Sequence, residues 1–240
     1  MTERYTYKET EKNPEIPNFF VCTGVSGAGA TTAVKQIESE GYAQFGPPHF
    51  TTRPLRPNER SGDQYYSVTR ETLAKIPQQI VLQKHLSNNE YGIFIPAVNS
   101  IRRKLDLGSN VILDSIHAPA EWKAALGASY AFTSVFFAPR DPETAIQRIV
   151  RRAKQSNDTL LKQYLPVRIK EDARHILQIR EYDYWIDTTD LEEIKPALIA
   201  AILTRSFNQF KLNDMLFEVS SSEEEIEEVI KSYEKRGQKE

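Results

Sequence analysis

The stretch FFVCTGVSGAGATTA, residues 19–33, constrains the fold of this chain more than any other. A short continuous apolar run ends in glycine, which is the pattern of a strand buried on both faces. The run TTAVKQIESEG that follows has helical periodicity and stops at Gly41. Between strand and helix, Gly24, Gly27 and Gly29 let the backbone curl so that successive N–H groups point inward. The helix N-terminus adds partial positive charge, and the loop, completed by Ser26 and Ala28, becomes an anion site. It meets the phosphate-loop pattern G-x-x-x-x-G-K-[ST] at Gly24, Gly29 and Thr31, but Ala30 stands where the pattern has lysine. Thr31 or Thr32 supplies the hydroxyl that would sit on a magnesium ion. Taken alone, the stretch reads equally well as a plain glycine-rich turn. Losing one contact to a charged group costs about 1.5–3 kcal/mol, a rate factor of about a hundred at the upper end. A loop without its lysine can therefore serve catalysis if arginines elsewhere neutralise the same phosphates.

The rest of the chain repeats the strand-then-helix alternation. SNVILDSI is a second buried strand ending in Asp114, ASYAFTSVFFAP a third, and YDYWIDTT a last short one. Helical patterns fill 141–181, basic at first (RIVRRAKQ), and close with LEEIKPALIAAILTRS. This is an α/β fold with a mainly parallel sheet. Residues 1–18 read as a flexible tail. Residues 45–100, rich in Pro, Arg and Tyr, read as a small inserted domain. Residues 206–240 form an extension with an acidic amphipathic helix, in which Ile226, Val229, Ile230 and Tyr233 share one face. That face suits docking on the chain's own body more than self-association or a partner contact.

The net charge of −2 gives no case for nucleic acid or an anionic membrane as a bulk partner, and no apolar run approaches the length of a membrane span. The single cysteine, Cys22, excludes an internal disulfide and fits a reduced, cytoplasmic compartment. It lies in a strand pattern and reads as a buried structural thiol. The four histidines, His49, His85, His117 and His175, have no zinc-ligand spacing.

The arginines that the loop requires are present. TTRPLRPNERSGDQYYSV sets Arg53 and Arg56 three residues apart, each followed by a proline that stiffens the loop. Tyr65 and Tyr91 supply two phenols, and the four side chains make a cradle for a phosphate monoester. This segment strongly resembles the guanylate kinase segment S-x-T-T-R-x-x-R-x-G-E-x-x-G-x-D-Y-x-F-V. The phosphate loop, EYG, VILDSI, the arginine-bearing 141–181 and YDYWI agree with that family in order and spacing over about residues 19–204.

The resemblance implies the P-loop nucleoside monophosphate kinase fold, with a core (19–44, 101–140 and 182–205), a substrate-binding insertion (45–100) and a helical lid (141–181). It implies transfer of the γ-phosphoryl group of ATP, with Mg2+, to a nucleoside monophosphate, GMP or a related acceptor. On it, residues 24 and 26–32 bind ATP, Thr31 faces the metal, and Arg53, Arg56, Tyr65, Tyr91 and Asp114 bind the acceptor. Arg148, Arg152 and Arg168 reach the transferred group. The positions that read guanine in the family fall here on His49, Leu82, Ile93 and Ile116. Three of these are apolar and would leave guanine's N–H donors unpaired, at about 1–3 kcal/mol each. The same residues allow a second reading: a module without turnover, holding a nucleotide or a phosphorylated peptide through the retained cradle.

Overall fold

The computed structural model describes residues 17–56, 59–139, 142–155, 167, 171, 172, 175 and 178–190, with 142, 143, 146 and 152–155 described by backbone alone. Five strands, β1 (Asn18–Gly24), β2 (Gln44–Phe45), β7 (Val111–Asp114), β8 (Ala131–Ala138) and β9 (Tyr184–Asp187), form one sheet in the order β2-β7-β1-β8-β9. Every neighbouring pair in it is parallel. The strand expected from FFVCTG begins one residue earlier, at Asn18, which the sequence had assigned to the tail. Its amide takes Asn110 Oδ1 at 3.0 Å and its side chain donates to Thr133 Oγ1 at 2.6 Å.

Alternation along β1 explains the two apolar layers. Phe20 and Cys22 pack on α1 (Ala30–Ser39) through Ala33, Val34 and Ile37, while Phe19 and Val21 pack on α3 (Ile95–Asp106) and α4 (Pro119–Leu126) through Val98, Ile101, Leu105 and Trp122. A strand covered on both faces needs no polar alternation, which is why its sequence is a continuous apolar run. Cys22 is fully buried, and burial, with Asp114 nearby, pushes its thiol pKa well up, as a structural cysteine requires.

The second sheet lies wholly within residues 49–94, in the order β4-β3-β6-β5, formed by β3 (His49–Thr51), β4 (Tyr65–Ser67), β5 (Ile80–Leu86) and β6 (Asn89–Phe94). A two-residue turn joins β5 to β6 with Ser87 and Asn88 at φ 48° and 61°, the left-handed pair that matches strand twist. A short helix, α2 (Arg70–Lys75), precedes β5, capped by Thr69 Oγ1 accepting from the Thr72 amide. Pro96 ends the apolar run EYGIFI as a strand and opens α3, which runs on past residue 100. A further helix, α5 (Pro142–Gln155), follows β8.

Candidate active site

The glycine loop and Asp114 stand at the carboxyl ends of strands in the parallel sheet, where ligands of open α/β sheets sit. Loop 24–29 follows β1, and Asp114 ends β7, paired in register with Cys22. Gly27 and Gly29 adopt φ 80° and 86°, a left-handed backbone that favours glycine. A Cβ on Gly24 would stand 2.7 Å from the carbonyl oxygen of Phe137, so only glycine lets β8 approach so closely. α1 begins at Ala30, and its first-turn N–H groups have no intrahelical acceptor. Loop, helix start and cradle line a single cleft of about 420 Å3: residues 24 and 26–32 on one side, Arg53, Arg56, Tyr65 and Tyr91 on the other, with Asp114 between them.

The hydroxyl of Thr31 donates to Asp114 Oδ2, which also accepts from Gln64 Nε2 at 3.2 Å. A hydroxyl and a carboxylate side by side are hard oxygen donors of the kind Mg2+ takes alongside substrate phosphates. Among the described residues there is no cluster of three His, Cys, Asp or Glu side chains able to hold a metal. The residues therefore fit a magnesium ion that is completed by nucleotide and water, and not a site built wholly from protein.

The cradle expected from the sequence is ordered by its own carboxylate. Glu59 accepts from Arg53 Nη2 at 3.1 and 2.8 Å, from the Arg56 amide at 2.9 Å and from Arg56 Nη1 at 3.3 Å. Burial raises the Glu59 pKa, but these donors outweigh it and the pKa ends below its ordinary value. Burial likewise works against the charge on Arg53, and Glu59 more than offsets it. The Arg53 guanidinium carbon lies 5.6 Å from the Tyr65 ring centroid, and Tyr65 meets Tyr91 edge-on at 6.0 Å. The two threonines before Arg53 act on the backbone: Thr51 Oγ1 accepts the Arg53 amide at 3.1 Å, and Thr52 Oγ1 accepts that of Glu90 at 2.9 Å. Pro57 and Arg168, expected in the lid, lie outside the described residues, and so does the side chain of Arg152. Arg148 lines the cleft, with its guanidinium donating to the carbonyls of Thr188 and Thr189 at 2.7 and 2.9 Å.

Of the four positions aligned with guanine reading, only Ile116 lines the cleft. Ile93 is fully buried in the α3 layer, and Leu82 packs against the same layer. His49 is 4% exposed, 3.3 Å from Ser115 Oγ through Nε2. Its ring stacks 6.1 Å from that of His117, so two histidines that look scattered in sequence form a buried pair. Burial, then the charge of the other ring, lowers the His49 pKa to about 3; burial, then Lys84, lowers that of His117 to about 4. Both are neutral in the fold. Glu90 is taken by His85 at 2.8 Å and Gln83 at 3.1 Å. Sequence reasoning missed Gln64, Asp172 and His175, all of which line the cleft. None carries a spacing signal toward the glycine loop, because Gln64 and the pair Asp172 and His175 lie far from it along the chain.

A parallel sheet that feeds a glycine loop, with an arginine cradle on an inserted sheet opposite, defines a P-loop α/β protein of nucleoside monophosphate kinase fold. The family model for guanylate kinase matches residues 17–205. The guanylate kinase of Desulfotalea psychrophila is 31% identical over 186 residues, covering 76% of this chain and 87% of that one, and the guanylate kinase of Legionella pneumophila strain Paris is 26% identical over 192 residues, covering 78% and 85%. The crystal structure of guanylate kinase from Anaplasma phagocytophilum superposes with a TM-score of 0.59 at 20% identity, over 85% of this chain and 95% of that one, and shares the fold. The chain belongs to the guanylate kinase family. No helix among the described residues is long and apolar enough to cross a membrane.

Proposed function

We propose that the protein is an ATP-dependent phosphotransferase of the cytoplasm that moves the γ-phosphoryl group of ATP to the phosphate of a nucleoside monophosphate, GMP or a related acceptor. The observation that carries this reading is the single cleft that holds both the glycine loop and the arginine cradle. Donor phosphates lie over residues 24 and 26–32, and the acceptor phosphate is gripped by Arg53, Arg56, Tyr65 and Tyr91 beside Asp114. The reaction needs two phosphates held in line and negative charge neutralised, with no covalent role for a side chain. Thr31 and Asp114 would hold Mg2+, which supplies charge neutralisation on the phosphates. With Ala30 in place of lysine, the remaining neutralisation falls to Arg148, Arg152 and Arg168. Arg148 must leave the carbonyls of Thr188 and Thr189 to take part. The division into core (19–44, 101–140 and 182–205), insertion (45–100) and lid (141–181) belongs to the same proposal.

Ala30 and the engaged Arg148 favour a second reading, a module that binds nucleotide or phosphorylated peptide without turnover. Measuring ADP release from ATP–Mg2+ with GMP, dGMP, AMP and IMP separates the two. Turnover that depends on one acceptor and vanishes with EDTA and in Arg152→Ala establishes the kinase. Binding without turnover establishes the module.

A further inference from the structure

Two departures from the guanylate kinase pattern meet at one oxygen atom. Ala30 stands where the phosphate loop has lysine, and Gln64 stands where the segment G-x-D-Y has aspartate. The first removes a positive charge and the second a negative one. They lie far apart along the chain, and the fold joins them through Asp114. Thr31, next to Ala30, donates its hydroxyl to Asp114 Oδ2. Gln64 Nε2 donates to the same Oδ2 at 3.2 Å. Ala30, Thr31, Gln64 and Asp114 all line the cleft.

The contact between Gln64 and Asp114 has a fixed sense. A carboxylate only accepts, so the amide turns its nitrogen to it. The backbone that carries this amide is anchored. The Gln64 carbonyl accepts from the His49 amide at 3.1 Å, and the Tyr65 carbonyl accepts from the Gly62 amide at 2.9 Å. From there the chain enters β4, paired with β3, so the side chain reaches from the second sheet to the end of β7. A carboxylate at position 64 would change this contact in kind. It would set a like charge against Asp114, beside a loop without its lysine, and would disfavour any anion entering there. The amide carries no charge and supplies a donor instead. That difference of one charge holds whatever else Asp114 touches.

We infer that Gln64 is a positioning residue that offsets the missing loop lysine. It keeps a negative charge away from residues 24–32 and holds Asp114 Oδ2 at Thr31, so that the loop takes a phosphate chain with one cation fewer. This rests on the proposed function in one respect, that residues 24 and 26–32 take phosphate.

Calorimetry of the full chain with inorganic tripolyphosphate in EDTA tests it, on the wild type, Gln64→Glu, Ala30→Lys and the double variant. Gln64→Glu keeps the shape and adds the charge, and its Kd rises about tenfold. Ala30→Lys lowers the Kd about tenfold. In the double variant the two shifts cancel, to within about threefold of the wild type. Urea midpoints give a second readout: Gln64→Glu lowers the midpoint, and adding Ala30→Lys restores it. A merely structural role of Gln64 would not be rescued from position 30. Gln64→Leu loses the donor without adding charge and weakens binding less than Gln64→Glu does. Gln64→Glu binding as tightly as the wild type, a double variant as weak as Gln64→Glu, or a loss in Gln64→Leu as large as in Gln64→Glu overturns the inference and leaves the phosphate-loop reading standing. A wild type that takes no tripolyphosphate overturns that reading, and the inference with it.

Discussion

Replacing Arg53 by alanine separates the two ends of the cleft. Its guanidinium has five N–H donors, of which the described contacts use three at most: Nη1 to the Pro54 carbonyl at 2.7 Å, and Nη2 to the two Glu59 oxygens at 3.1 and 2.8 Å. At least two donors remain for a ligand, on a side chain only 14% exposed and held by its neighbours. A charge-assisted hydrogen bond contributes about 1.5–3 kcal/mol, so its loss raises the acceptor KM, or its Kd, by about 10–150-fold. The upper half of that range is expected, because the variant also leaves the Glu59 carboxylate, 19% exposed, without its better partner. The ATP KM stays within about twofold, since none of the described contacts of Arg53 is to residues 24–32. Steady-state ADP release at varied acceptor and fixed ATP gives the two constants, and calorimetry with the acceptor alone gives the Kd if turnover is absent. Arg53→Lys, which keeps the charge and loses the fork, recovers part of the affinity. An acceptor constant unchanged in Arg53→Ala refutes the cradle, and equal losses in both constants show that the cleft has not been divided correctly.

The buried histidine pair makes stability depend on pH. The folded pKa values, about 3 for His49 and about 4 for His117, both lie below the ordinary 6.5, so between about 4 and 6.5 the unfolded chain binds more protons. Stability is therefore full above pH 6.5 and falls as pH drops through that window, by up to about 2.7 kcal/mol per pH unit for two protons. Urea midpoints from pH 7 to 4.5 check this, and a flat profile refutes the neutral pair. Gly92→Ala should destabilise the inserted sheet by about 3 kcal/mol or prevent its pairing, because a Cβ there falls 2.1 Å from the Leu82 carbonyl oxygen and 2.4 Å from Phe50 Cζ. Denaturation midpoints within about 0.5 kcal/mol of the wild type would show that β5 and β6 do not pair as described.

The parts of the site that were legible in sequence are those built from local runs. The strand before Gly24 shows itself because both faces are covered; the loop shows itself through glycines that the left-handed turns at 27 and 29 require. Arg53, Arg56 and Glu59 lie within seven residues and their mutual contacts are local as well. β5 was missed because IVLQKHL, one side of it half-exposed at the edge of its sheet, carries neither clean alternation nor a continuous apolar run. α3 was hidden because the apolar stretch of β6 continues into its first turn, and only Pro96 marks the change.

The sequence by itself determined the class of fold, the glycine loop with its missing lysine, and the cluster of Arg53, Arg56 and Glu59, because each is written in local runs of residues. The tertiary structure alone decided what faces what. It joined Thr31 to Asp114, 83 positions apart, and Ser26 to Asp172, 146 apart. It stacked His49 on His117 behind Ser115, buried Ile93 away from the cleft, and set Gln64 on Asp114. Such pairings follow from the order of parallel strands. Crossover connections bring distant segments to one carboxyl edge, and the spacing of residues along the chain holds no record of that edge.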